Sequence, residues 1–229
     1  MESHLYKSAA MRWVAYGPSA LLIYFADRVG EEAFLRGRAI AAVLESNPPP
    51  GLLEFVPGFT SVLLEFDPAL VPDPKFHALE WLALLKSAIS IPQLPSPVKS
   101  IPVTYDGPDL TRVAQHNRLT VEQVVSIHSQ TLYKVYLLGF SPGFPYLGDL
   151  DVRIHTPRLP SPRTRVPVGS VAIGGEHTGI YSMETAGGWN LIGRTPRVLF
   201  DLSRGGEGER REDIFLLRPG DRVRFVVSG

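Results

Sequence analysis

Two stretches of this 229-residue chain have the outline of catalytic motifs, and backbone chemistry argues against both. Gly139-Phe140-Ser141-Pro142-Gly143 has the Gly-x-Ser-x-Gly form of a nucleophile elbow, where the residue after serine donates its N–H to an oxyanion. Here that residue is Pro142, which has no N–H, and Pro145 sits where the following helix should start. Gly188-Trp189-Asn190-Leu191-Ile192-Gly193-Arg194-Thr195 has near P-loop spacing, with Arg194 in place of the lysine. Its middle reads as a strand, and Pro196 opposes a helix directly after Thr195. The six histidines are scattered without zinc-ligand spacing, and there is no cysteine, so neither thiolate chemistry nor a disulfide framework is available. The expected metal site is none.

What remains is a set of residues suited to binding. Gly139–Leu147, GFSPGFPYL, combines two glycines, two prolines and three aromatics in an irregular loop, and Phe144 and Tyr146 offer flat apolar surfaces. Thr156–Pro167 interleaves Arg158, Arg163 and Arg165 with four prolines. A proline-rich backbone loses little entropy on ordering, so these guanidiniums could be preorganised for carboxylate or phosphate. Val168–Tyr181 reads as strand, glycine turn and strand; Gly174 and Gly175 leave backbone amides approachable, with His177, Thr178 and Tyr181 beside them. Gly187 and Gly188 precede Trp189, an aromatic plate, and Arg194 follows. The competing reading of each segment is structural: core aromatics, a solvated arm and an ordinary hairpin.

These segments need a scaffold, and composition allows one. Hydrophobic residues make up 44% and charged residues 20%, typical of a globular protein, and the length is comfortable for two domains. No apolar run reaches the roughly 20 residues of a membrane span, and Met1-Glu2-Ser3-His4 does not start a secretory signal, so a cytoplasmic location is expected. Net charge is zero without like-charge runs, which argues against nucleic-acid and membrane-surface binding. All five lysines lie at or before Lys134, and the twelve basic residues after it are arginines. That bias suits planar anion recognition, with arginine-rich genome composition as the alternative source.

Residues 1–90 read as a small α+β domain. The expected elements are strands Met11–Tyr16 and Ala20–Phe25, a helix Glu31–Glu45, strands Leu52–Val56 and Ser61–Phe66, and a helix from Asp73-Pro74 to about Ser90. The order ββαββα suits an antiparallel sheet with helices on one face, a ferredoxin-like arrangement. Residues 91–99 carry Pro92, Pro95 and Pro97 and are expected to be a linker. Residues 100–229 are expected to form a domain rich in β-structure. It opens with a strand to Tyr105 and a helix Leu110–Asn117, followed by a helix started by the capping box Thr120-Val121-Glu122-Gln123. A strand Leu132–Leu138 and then short strands of a barrel or sandwich complete it, with Gly205–Arg211 a polar loop.

Taken in order, GFSPGFPYLGDLD, PRLPSPRTRVPVGSVAIGG, TGIY, GGWNLIGRTP and LLRPGDRVRF resemble the family of the 5-oxoprolinase B subunit, also called the PxpB or KipI family. The same module is the allophanate hydrolase subunit 1 region of urea carboxylase. The resemblance implies a cyclophilin-like barrel after the ferredoxin-like domain. It also implies partnership with subunits A and C in an ATP- and magnesium-dependent complex that opens 5-oxoproline to L-glutamate, with no cofactor held tightly by this chain. Phosphorylating the lactam oxygen would make a poor electrophile a better one, and the arginines and glycine amides would neutralise developing charge. His177 and Tyr181 are the candidates for proton handling. One branch of the family inhibits a sporulation histidine kinase, and another belongs to urea and allophanate pathways; both are the alternatives. The sequence departs from the family pattern at His177, where glutamine is usual, and across Met183–Ala186.

Overall fold

The computed structural model describes residues 11–86, 98–205 and 211–228, without the side chains of 211 and 212. The expected linker up to residue 97, the end of the second expected helix and residues 206–210 of the polar loop lie outside the described residues. Contacts divide the chain into two compact units, Met1–Pro92 and Gln93–Gly229, each with its own core. Among the described residues no helix is long and apolar enough to cross a membrane.

The first unit runs β1 (Arg12–Tyr16), β2 (Ala20–Tyr24), α1 (Glu31–Ser46), β3 (Leu52–Pro57), β4 (Ser61–Phe66), a 3₁₀ turn (Pro74–His77) and α2 (Ala78–Lys86). Its sheet has the order β1-β2-β4-β3, with every neighbouring pair antiparallel. Alternation aims Leu21 and Ile23 of β2 and Val62, Leu64 and Phe66 of β4 at one face, where Ile40 and Leu44 of α1 and Trp81 and Leu85 of α2 close the core. Phe66 and Trp81 stack at 4.1 Å. The expected second helix starts differently. Asp73 accepts the Lys75 N–H, and Ala78 bonds back to the Lys75 carbonyl, three residues away, so the first turn is 3₁₀.

The second unit contains β5 (Val98–Val103), α3 (Leu110–His116), α4 (Val121–Gln130), β6 (Leu132–Leu138), β7 (Pro145–Gly148), β8 (Arg163–Val166), β9 (Ser170–Gly174), β10 (His177–Ile180), β11 (Thr185–Gly187), β12 (Asn190–Arg194) and β13 (Arg222–Val227). Seven strands form one curled sheet, β12-β9-β10-β7-β6-β13-β5, antiparallel except for the parallel β13–β5 pair; β8 and β11 form a separate ribbon. The edge strands meet at one point, where Thr104 and Arg194 exchange two backbone hydrogen bonds of 2.9 Å. Val135, Leu147, Val171, Ile173, Ile180, Ile192 and Phe225 fill the concave side with Leu110 and Val113 of α3 and Val124 of α4. The capping box at Thr120 and Gln123 forms in both directions and starts α4. The fold is thus mixed α/β with a curled half-barrel sheet.

A histidine and its threonine partner are sealed in that core. His128 of α4 is fully buried, with Nδ1 2.7 Å from the Tyr105 hydroxyl and Nε2 2.9 Å from Thr178 Oγ1. Thr178 gives its own hydrogen to the Ala172 carbonyl, so Nε2–H must be the donor to Oγ1, and Nδ1 accepts from Tyr105. Burial pushes the imidazole down to about 3. The ring is neutral, and its two nitrogens tie α4 to the loop after β5 and to β10.

Candidate functional site

The strands that bury Leu147, Ile173 and Ile192 on the concave side turn the alternate residues to the convex side. There Phe144, Val166, Ala172, Tyr181, Trp189 and Leu191 form a second apolar cluster with Tyr146 packed against it. Phe144 is its hub, meeting Tyr146, Tyr181 and Trp189 edge-on at centroid distances of 5.1, 5.3 and 5.4 Å. Glycines at 174 and 187 make the packing possible. A Cβ on Gly174 would enter the Trp189 ring, and one on Gly187 would collide with the Tyr181 hydroxyl. Between these rings opens a cleft of about 70 Å³, lined by Phe140, Phe144, Tyr146, Arg158, Tyr181, Gly187, Gly188 and Trp189.

The sequence offered four arginines, and the structure brings one to the cleft. Arg163 is bound to the buried Asp109 at 2.8 Å, and the same carboxylate accepts the Leu191 N–H at 2.7 Å. Arg165 pairs with Glu184 at 2.7 Å on the exposed ribbon, and Arg194 pairs with Asp106 at 2.8 Å beside the joined sheet edges. Arg158 has no carboxylate partner among the described residues, and its guanidinium lies 5.7 Å from the Trp189 ring centroid. Its backbone is pinned on both sides. Thr156 and Gly175 exchange two backbone bonds, the Pro157 carbonyl accepts from the Asn190 side chain at 3.0 Å, and the Leu159 N–H donates to the Gly188 carbonyl at 2.7 Å. Arg112 in turn holds the Asn190 side-chain oxygen.

Burial raises the phenol pKa of both Tyr146 and Tyr181, and the nearby Arg158 charge opposes the shift in each. At Tyr181 the Trp189 backbone N–H also favours the phenolate. Both hydroxyls remain protonated near neutral pH and can donate. His177 lies half-buried on β10 outside the cleft lining, its imidazole lowered chiefly by burial, with the Glu176 backbone and charge opposing that.

Several expected site residues have other work. Thr178 points into the barrel core, bonded to His128 and Ala172, and cannot meet a ligand on the convex side. The Gly175 N–H is given to the Thr156 carbonyl at 2.8 Å, and Gly174 is the floor under Trp189, so this pair is not an anion nest. Pro145–Gly148 is a strand, where irregular loop was expected, because it pairs with β6 and β10. Ser141 Oγ faces Ser182 Oγ at 3.4 Å, and Asn190–Arg194 pairs with β9 as a strand. Phe140 was missed as a site residue. It is 60% exposed at the mouth of the cleft with φ of 68°, a conformation that an amino-acid sequence does not announce for phenylalanine. Asp109 and Asn190 were missed too, because their partners are distant in the chain.

The chain matches the carboxyltransferase domain, subdomain C and D, over residues 11–207, a span that takes in parts of both units. The chain is 39% identical to the B subunit of 5-oxoprolinase from Bacillus subtilis, an alignment covering 92% of this chain and 90% of the relative. It is also similar to TTHA0988 in its crystal structure, at 41% identity and a TM-score of 0.76, covering 92% of this chain and 40% of that longer one. The Kluyveromyces lactis urea carboxylase shares the fold, with a TM-score of 0.78 at 21% identity over 96% of this chain and 22% of the other. The chain therefore belongs to the family of the 5-oxoprolinase B subunit, within the wider carboxyltransferase subdomain C and D family.

Proposed function

We propose that this chain is the B subunit of an ATP-dependent 5-oxoprolinase complex, supplying a binding half-site for the lactam that subunits A and C complete. The observation that carries this reading is the cleft itself: flat aromatic walls, two phenol donors and one guanidinium without a carboxylate partner in a space of about 70 Å³. Complete small-molecule sites usually enclose roughly 300–1,000 Å³, so this cleft fits part of a shared site. A five-membered lactam has flat faces for the rings and a carbonyl oxygen that accepts from a phenol. The sequence relationship to a protein named as the B subunit of 5-oxoprolinase supports the same assignment.

The residues here do not fit a nucleotide. The stretch with P-loop spacing is the strand β12, its backbone paired with β9, and the cleft is far too small for a triphosphate. We assign ATP and its magnesium to the assembled complex. The scaffold reading is a permuted ferredoxin-like first domain, supported by the β1-β2-β4-β3 order with α1 crossing from β2 to β3, and a cyclophilin-like barrel, supported by the joined edges at Thr104 and Arg194.

Affinity purification of the tagged chain from its native cells tests the function. Co-purifying subunits A and C, and glutamate release from 5-oxoproline and ATP by that assembly, are expected. Biotin-carrying or amidase partners would instead place the chain in urea metabolism.

A further inference from the structure

We infer that Arg158 is the carboxylate anchor of the cleft, so that the site selects cyclic amides bearing an acid group over neutral ones of the same ring size. The inference deepens the lactam-binding reading above and rests on it for the ring, but its argument is separate. Each of the other three arginines of the basic run and β12 is committed to an aspartate or glutamate at 2.7–2.8 Å. Arg158 alone among them faces the cleft, and among the described residues no carboxylate lines the cleft to compete with an anionic ligand. Its position is preorganised from both neighbours: the Pro157 carbonyl is held by Asn190, and the Leu159 N–H by Gly188. The backbone that carries Arg158 is thus already ordered, and only the side-chain rotamers remain to be fixed when the guanidinium closes on an anion. Arg158 is exposed, with the Trp189 ring centroid 5.7 Å from its guanidinium and Phe140 and Phe144 lining the same cleft, so an anion held there has apolar rings on one side. A planar fork over an aromatic plate presents two N–H groups in the geometry of a carboxylate. The Arg158 charge also reaches both phenols lining the cleft, opposing the rise that burial causes.

The test is an NMR titration of the whole chain, following the Trp189 indole N–H, assigned by its loss in Trp189→Phe. The ligands are 5-oxoproline, pyrrolidinone (the same lactam without the acid) and inorganic phosphate. The expected result is a Trp189 shift by 5-oxoproline at a concentration about ten- to a hundredfold below that needed for pyrrolidinone, the range a single charge-assisted bond supplies. Arg158→Gln should bring the two ligands level, while Arg165→Gln, on the exposed ribbon, should keep the preference. Equal affinities in the parent chain, a preference that survives Arg158→Gln, phosphate binding as well as the acid, or no Trp189 response to the acid would each overturn the assignment. Turnover by the co-purified complex separates the two readings. An active complex whose chain of this family lacks the acid preference removes the Arg158 role alone. An acid preference in a chain whose complex does not consume 5-oxoproline removes the substrate reading alone.

Discussion

Gly174 and Gly187 decide whether the aromatic cluster can exist. Each lies where a side chain would occupy the volume of Trp189 or of the Tyr181 hydroxyl. Overpacking of this kind typically costs about 1–3 kcal/mol. Gly174→Ala should lower the thermal midpoint and displace the Trp189 indole resonance. An unchanged resonance would mean that the ring does not rest on Gly174. The arginines teach a related lesson. Four residues of one type, three of them within eight positions, have four different situations, and Arg158 is the one without a carboxylate partner among the described residues.

At the scale of elements, α4 is joined to β10 through a neutral histidine in the core. In the unfolded chain His128 titrates near its ordinary value of 6.5; in the folded protein burial holds it down to about 3. Between those values the unfolded state binds a proton that the native state refuses. Stability is therefore fully present above about pH 6.5 and falls with acidification, by at most about 1.4 kcal/mol per pH unit from this residue. Urea unfolding of the parent chain and of His128→Gln at pH 7 and pH 5 measures the difference. The variant should lose less stability over that interval than the parent. Equal losses would show that His128 is not the titrating group. The same network explains why Thr178 is lost to the cleft: in a strand, one residue to either side changes the face.

For the molecule as a whole, two separate cores serve two units, and the cleft is built entirely from the second. Damage to the first core should then leave the cleft intact. Trp81→Ala removes a ring stacked on Phe66 and should cost about 3–5 kcal/mol of stability in the first unit. Below its unfolding temperature, the variant should keep the Trp189 indole resonance and its response to 5-oxoproline. Loss of both would mean that the cleft depends on the first unit. A cleft of this size accords with the shared site proposed above, and TTHA0988, of which this chain covers 40%, is a longer polypeptide.

Local chemistry was legible in the amino-acid sequence alone. The capping box at Thr120, the short apolar strand β2, the alternation of β6, the missing N–H at Pro142 and the strand character of Asn190–Arg194 all depend on residues within a few positions of one another. Such features need no knowledge of the fold, because backbone donors, prolines and period-two patterns act over short range. Four of the cleft aromatics, Phe144, Tyr146, Tyr181 and Trp189, could be named as well, since bulky rings close to glycines are visible in the chain. Their assembly could not. Which arginine stays without a carboxylate depended on Asp109 and Asp106, each more than fifty residues from its partner, and the side of β10 that Thr178 faces depended on which strand face meets α4. Pairing over such distances is set by tertiary contact, and so the choice of Arg158 belongs to the folded structure.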